Sequence, residues 1–161
     1  MEAVIALVVI AMTVPIMLSA SAVTSRTRRH AEADTRSAWI AREVQQELTH
    51  AWRGMPSEMF PQKPSFPVLA TEEQPEILVF DAEGRYLSRA TEVELQHGMA
   101  VGSAQYVVLL YAVAHPPANM TLGALDSLAH VHLRVTHSAR APQAKRAVSC
   151  YSMLIPRQTP P

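Results

Sequence analysis

Hydrophobic and polar positions change period three times along this chain. Residues 3–22 read AVIALVVIAMTVPIMLSASA, with no charge, behind a single acid at Glu2. At a rise of roughly 1.5 Å per residue, about twenty apolar positions match a bilayer core about 30 Å thick, so the run predicts a membrane-spanning helix over residues 1–25. An amphipathic continuation follows over 26–54: Ile40, Val44, Leu48 and Trp52 recur at every fourth position, and residues 31–53 contain neither Gly nor Pro. That spacing is one helical face. Trp39, Ala41 and Ala51 broaden the stripe, Arg42, Glu43, Gln45, Gln46, Glu47 and Thr49 occupy the other side, and Ile40, Val44, Leu48 and Trp52 are expected to dock on a sheet. Gly54 and Pro56 end the helix.

Residues 55–75 hold Pro56, Pro61, Pro64, Pro67 and Pro75, a density that no regular element survives. Phe60, Phe66 and Leu69 are the expected pins of this loop. The Pro-x-x-Pro spacing of Pro61, Pro64 and Pro67 also matches a polyproline ligand, but it arises easily in any proline-rich stretch. From residue 76 to 161 the period becomes extended. Residues 76–80 with Asp81-Ala82-Glu83-Gly84 predict a hairpin. Residues 91–95 alternate and predict a short edge strand, ended by Gly98 and Gly102. Residues 105–114 are apolar on both parities and predict the central strand. Two more strands are expected over 130–136, with Val131, Leu133 and Val135 inward, and over 147–155. The predicted class is α+β, one long N-terminal helix packed on a small antiparallel sheet.

Composition narrows the function classes. Fourteen basic residues balance fourteen acidic ones, so no polyanion-binding surface is indicated and nucleic acid is not an expected partner. Cys150 is the single cysteine; it has no internal disulfide partner and, in an apolar run, reads as a buried small hydrophobe. Three accounts of the uncharged run compete. A buried helix of a soluble protein rarely stays apolar all round for this length. A cleaved secretory signal is favoured by the Ala20-Ser21-Ala22 triplet, but Lys or Arg does not precede the run. A retained anchor fits best. Arg26, Arg28 and Arg29 follow the span, where the positive-inside rule would hold that flank in the cytoplasm, but orientation depends on the difference between the two flanks, so this bias alone does not set the topology.

Candidate chemistry is sparse. His130 and His132 share one strand face at a spacing that a metal pair could use, but His137 lies on the opposite parity and His115 in a loop. A polar outer face of His130, His132, Arg134 and Thr136 explains the pattern, and no metal or other cofactor is expected. Glu43 and Glu47 form a like-charged i, i+4 pair, read as a solvated face. No nucleophile motif occurs, and five glycines offer little for a phosphate cradle, so no catalytic residue is assigned and an enzyme is not expected.

The string Glu2-Ala3-Val4-Ile5-Ala6-Leu7, continued by Val8, Val9 and Ile10, resembles the start of type IV pilin-like proteins, pseudopilins included, with their N-terminal methylation motif. In that family the glutamate is the fifth residue of the mature chain, after a glycine at which prepilin peptidase cuts; here Met1 precedes it. The segment Val79-Phe80-Asp81-Ala82-Glu83-Gly84-Arg85 looks like the hairpin of a short pilin-like subfamily found in Verrucomicrobia gene cassettes. The resemblance implies a minor pilin or pseudopilin of a type IV pilus or type II secretion-like filament. Glu2 would neutralise the N-terminal amine of a neighbouring subunit, and Pro15 would kink the helix. Its implied partners are other pilin-like subunits, prepilin peptidase and the membrane. Its implied place is the bacterial inner membrane, single-pass, with the C-terminal domain in the periplasm or in an extracellular filament. The alternative is a single-pass or signal-cleaved envelope protein with a small ligand- or protein-binding β-domain.

Overall fold

The computed structural model describes residues 2–96, 102–114, 128–137 and 147–156. In chain order they form α1 (Glu2–Trp52), β1 (Glu76–Phe80), β2 (Tyr86–Ala90), α2 (Glu92–Gln96), β3 (Tyr106–Ala114), β4 (Leu128–His137) and β5 (Ala147–Pro156). The chain divides into two compact units, Met1–Thr35 and Arg36–Pro161.

The first unit is the N-terminal part of α1. Its described surface is exposed from Val23 to Glu32, with an Arg28–Glu32 ion pair at 2.7 Å one turn apart. The backbone is helical through the uncharged run, but its side chains, Val14 and Met17 apart, lie outside the described residues. No helix among the described residues is long and apolar enough to cross a membrane. The expectation of a span over residues 3–22 therefore falls outside them. The Glu2 carboxylate and the Pro15 ring do so too, although α1 continues through both positions.

The second unit is α+β. Among the described residues its five strands are ordered β2-β1-β3-β4-β5, and every neighbouring pair is antiparallel. The central position of β3 follows from its sequence. Tyr106, Val108, Leu110 and Ala112 join the main core, while Val107 is buried on the opposite face beside Val79, its partner across β1. On that opposite face of β3 only Val107 is buried; Leu109 and Tyr111 are half-buried and Val113 is exposed, so apolar residues on both parities mark a central strand here without full cover on both faces. On β4 the alternation returns, with Ala129, Val131, Leu133 and Val135 in the core.

α1 buries the face that the four-residue period predicts. Ile40, Val44, Leu48 and Ala51 are buried in one cluster with Leu78, Phe80, Val108, Leu110, Leu133 and Val135. Each fully buried aliphatic side chain of this kind contributes about 1.5–3 kcal/mol. Trp39 departs from the expectation: it is 68% exposed. At about 100° per residue, Ala41, Val44 and Leu48 advance from Ile40 toward the sheet, and Trp39 turns the other way.

The helix ends in a Schellman motif. Gly54 takes φ 79°, its N–H donates to the Ala51 carbonyl at 3.0 Å, and the Met55 N–H donates to the His50 carbonyl at 3.0 Å. The proline-rich loop then returns along the core. Phe60 and Leu69 are buried, Phe66 packs against the cluster, and Met59 is a further buried pin. Leu69 and Ala112 exchange two backbone hydrogen bonds, at 3.0 and 2.8 Å, which tie the loop to β3.

Two further expectations are corrected. The segment expected as an edge strand over residues 91–95 is helical: α2 opens on a capping box, in which the Thr91 N–H donates to Glu94 Oε2 at 2.7 Å and the Glu94 N–H donates to Thr91 Oγ1 at 3.3 Å. These reciprocal bonds satisfy helix-terminal amides that a strand would have paired elsewhere. Cys150 is exposed, not buried. It lies on β5 opposite Arg134 and shares that residue's outward face.

Candidate functional site

A hollow in the second unit lies between the C-terminal part of α1 and the β1–β2 hairpin. It measures about 440 Å³, and Arg36, Trp39, Glu43, Glu47, Glu58 and Arg85 are among its walls. Its position follows from the hairpin. Asp81 and Arg85 pair across a three-residue loop, with the Asp81 N–H donating to the Arg85 carbonyl at 3.0 Å and the Gly84 N–H to the Asp81 carbonyl at 3.2 Å. This is a type I turn closed by a left-handed glycine, Gly84 at φ 86°.

Asp81 organises the loop from within. Its Oδ1 accepts the Glu83 and Arg85 amides at 3.0 and 2.8 Å, and its Oδ2 accepts Arg85 Nε at 2.9 Å. Burial pushes this carboxyl upward, but the Arg85 and Glu83 bonds outweigh it and hold it below the usual carboxylate range. Arg36 Nη1 donates to the Glu83 carbonyl at 2.7 Å and fixes the loop against α1.

Carboxylates line the other side. Glu47 Oε2 accepts the Ser57 hydroxyl at 2.6 Å, and the same hydroxyl accepts the Phe60 N–H at 3.1 Å. Glu43 is pushed above its ordinary value by burial first and then by the negative charges of Glu47 and Glu58. The Glu43–Glu47 pair, read from sequence as a solvated face, thus sits at the rim of a hollow. Arg36 and Arg85 stand in the same walls as Glu43, Glu47, Glu58 and Glu83, and the walls hold no histidine, cysteine or serine.

The docking residues form the floor of the unit. Ile40, Val44 and Leu48 belong to the core, and Trp52 is half-buried against it. Trp52 Nε1 donates to the Ser65 carbonyl at 3.2 Å, and its ring meets Phe66 edge-on at 5.1 Å. Arg89 is a positioning residue that sequence reasoning missed. Its Nε donates to the Met59 carbonyl at 2.9 Å, Nη1 lies 3.4 Å from Glu76, and the guanidinium covers the Phe60 ring at 5.3 Å.

The histidines are arranged as a stack. His130 and His132 have ring centroids 4.0 Å apart, Tyr111 stacks on His132 at 4.7 Å, and His130 Nε2 meets Ser152 Oγ at 2.5 Å. His137 points to the other face, 5.8 Å from the Tyr106 ring, and His115 lies outside the described residues. Among the described residues no group of three or more His, Cys, Asp or Glu side chains could hold a metal ion. Comparison of the chain with protein-family models, with curated proteins and with solved structures returned no match.

Proposed function

We propose that this chain is a structural subunit of a filament, a minor pilin or pseudopilin of a type IV pilus or type II secretion-like system. Its N-terminal helix rests in the bacterial inner membrane before assembly and then packs against the helices of other subunits. The observation that carries the reading is one unbroken helix, Glu2–Trp52, with two kinds of surface: an uncharged run over residues 3–22, and a C-terminal stretch whose Ile40, Val44 and Leu48 belong to the core of an antiparallel α+β unit. A helix that is apolar all round is suited to a membrane or a helix bundle, and one with a single apolar stripe is suited to a sheet. This order of helix then sheet is also the plan implied by the resemblance to pilin-like proteins.

In this reading Glu2 meets the amine of a neighbouring subunit inside the bundle. A carboxylate buried among apolar side chains is tolerated when a fixed cation meets it, so the pair would set the axial register of the filament. Pro15 would bend the helix where subunits pack, because it removes one backbone bond. Prepilin peptidase would release the chain for assembly, and the second unit would face the periplasm or the filament exterior.

Glu2→Gln in the full-length chain, expressed in its native host, tests the assignment. The expected result is unchanged recovery from the inner membrane with loss of the protein from the sheared surface fraction or secretion filament. Equal incorporation of the variant would overturn the role of Glu2. Recovery of the wild-type chain only as a released envelope domain would overturn the filament reading itself.

A further inference from the structure

Trp39 stands 68% exposed on the solvent side of α1, with no place in the core. At about 100° per residue, Glu43 and Glu47 fall to one side of it and Arg42 and Arg53 to the other. On the acidic side lies the hollow of about 440 Å³, whose walls include Trp39 itself and Glu58. On the basic side a second hollow, about 310 Å³, is lined by Arg42, Gln45, Gln46, Thr49, His50 and Arg53. Arg42 and Arg53 have no ion-pair partner among the described residues, and no cation there pairs with Glu43, Glu47 or Glu58. The two arginines in the acidic walls are engaged within the chain, Arg85 by Asp81 and Glu83 and Arg36 by the Glu83 carbonyl.

Charge complementarity selects the occupant. The basic flank calls for carboxylates and the acidic hollow for a cation, and one chain offers both surfaces on the same helix. A foreign acidic partner would answer only the first and leave Glu43 and Glu58 without a counter-charge, whereas a second copy answers both. The formal net charge of the chain is zero, so copies meet without bulk repulsion. An exposed tryptophan flanked by arginines has the composition of an interface hot spot, and a guanidinium seated on an indole face gains further from the ring's quadrupole. We therefore propose that the Arg42–Arg53 flank of one copy docks in the acidic hollow of the next, with an arginine held between Trp39 and the carboxylates of Glu43 and Glu58. The two surfaces differ, so the contact is heterologous, and a heterologous contact that does not close on itself extends into a helical filament. The inference rests on the filament reading and adds to it a contact outside the uncharged run of α1.

Arg42→Lys with Arg53→Lys keeps both charges and supplies primary amines for a zero-length crosslink. Isotopically light and heavy copies of this full-length variant, mixed in detergent micelles and treated with a carbodiimide, should form a light–heavy dimer. Its bridge should run from position 42 or 53 of one copy to Glu43, Glu47 or Glu58 of the other. Adding Trp39→Ala should lower the yield at least about tenfold. Raising the salt from about 0.1 to 1 M should lower it too, because the screening length shrinks from about 10 to 3 Å. A dimer without that bridge, no dimer, or a yield indifferent to both changes would overturn the proposal. If the double variant fails to fold, Arg42→Lys alone decides by the same bridge. The crosslink reads this contact and the sheared surface fraction reads the filament. Incorporation into the filament without the bridge overturns the contact alone, and the bridge without incorporation supports the contact while it overturns the filament reading.

Discussion

The guanidinium of Arg36 on α1 donates to the backbone carbonyl of Glu83 at 2.7 Å, one residue before the left-handed Gly84. The helix thus recognises the hairpin through main chain, and the fit is tight at the next position. A Cβ added at Gly84 would stand 3.0 Å from Arg36 Cδ and 3.4 Å from Ile40 Cγ1. Gly84→Ala is expected to cost about 1–2 kcal/mol, the penalty of a non-glycine residue in left-handed backbone, with an additional cost from displacing Arg36. Urea unfolding of the full-length variant checks this; equal midpoints would contradict it.

The helical stripe makes a paired prediction. Leu48 is fully buried and Trp39 is exposed. Leu48→Ala should lower stability by about 2–5 kcal/mol through lost transfer energy and a residual cavity. Trp39→Ala removes more atoms but should change stability by less than about 0.5 kcal/mol. Thermal or urea unfolding of the two variants decides, and a larger loss from Trp39→Ala would reverse the assignment of the helix face.

Asp81 gives the unit an acid-sensitive element. Its folded-state pKa is depressed, so its stabilisation is fully present above the unfolded value, about 3.9, and is lost as pH falls through the lower folded value. Asp81→Asn should therefore destabilise at neutral pH by about 1.5–3 kcal/mol, the range for hydrogen bonds to a charged group. The difference from wild type should narrow below about pH 4. A difference that does not vary with pH would show that the carboxylate charge plays no part.

Glu43 behaves with the opposite sign. Burial and the charges of Glu47 and Glu58 raise its folded-state pKa, so its ionised form opposes folding at all pH values above that raised value, and the opposition fades as pH falls toward the unfolded value. Glu43→Gln should stabilise the protein at pH 7, by less than about 1 kcal/mol because the side chain is solvent-screened. The gain should vanish below about pH 4. Destabilisation at neutral pH would mean that Glu43 has a cationic partner in the intact protein.

The elements most legible in the sequence are those whose period carries their burial. Ile40, Val44 and Leu48 advance at the helical spacing, and Val131, Leu133 and Val135 alternate, so both surfaces could be read directly. Trp39 misled because size suggested burial while its angular position, about 100° behind Ile40, turned it outward. Residues 91–95 misled because alternation over five positions is weaker than a capping box. Thr91 with Glu94 three residues later was the available signal. Cys150 looked buried because its run is apolar, but it falls on the outward face of β5, which exposes its even-numbered positions. The hollow beside Glu43 was not legible, because it depends on Arg36, Glu58 and Arg85 converging from three segments far apart in sequence.

The central claim is that the N-terminal helix serves filament assembly from the membrane. Mass spectrometry of the mature N-terminus, on protein taken from native membranes and read against the full upstream frame, tests it most directly. The account predicts an N-methylated residue four positions ahead of Glu2, the product of prepilin processing. A mature chain that begins near Val23 would contradict it and assign the sheet unit to a released envelope protein.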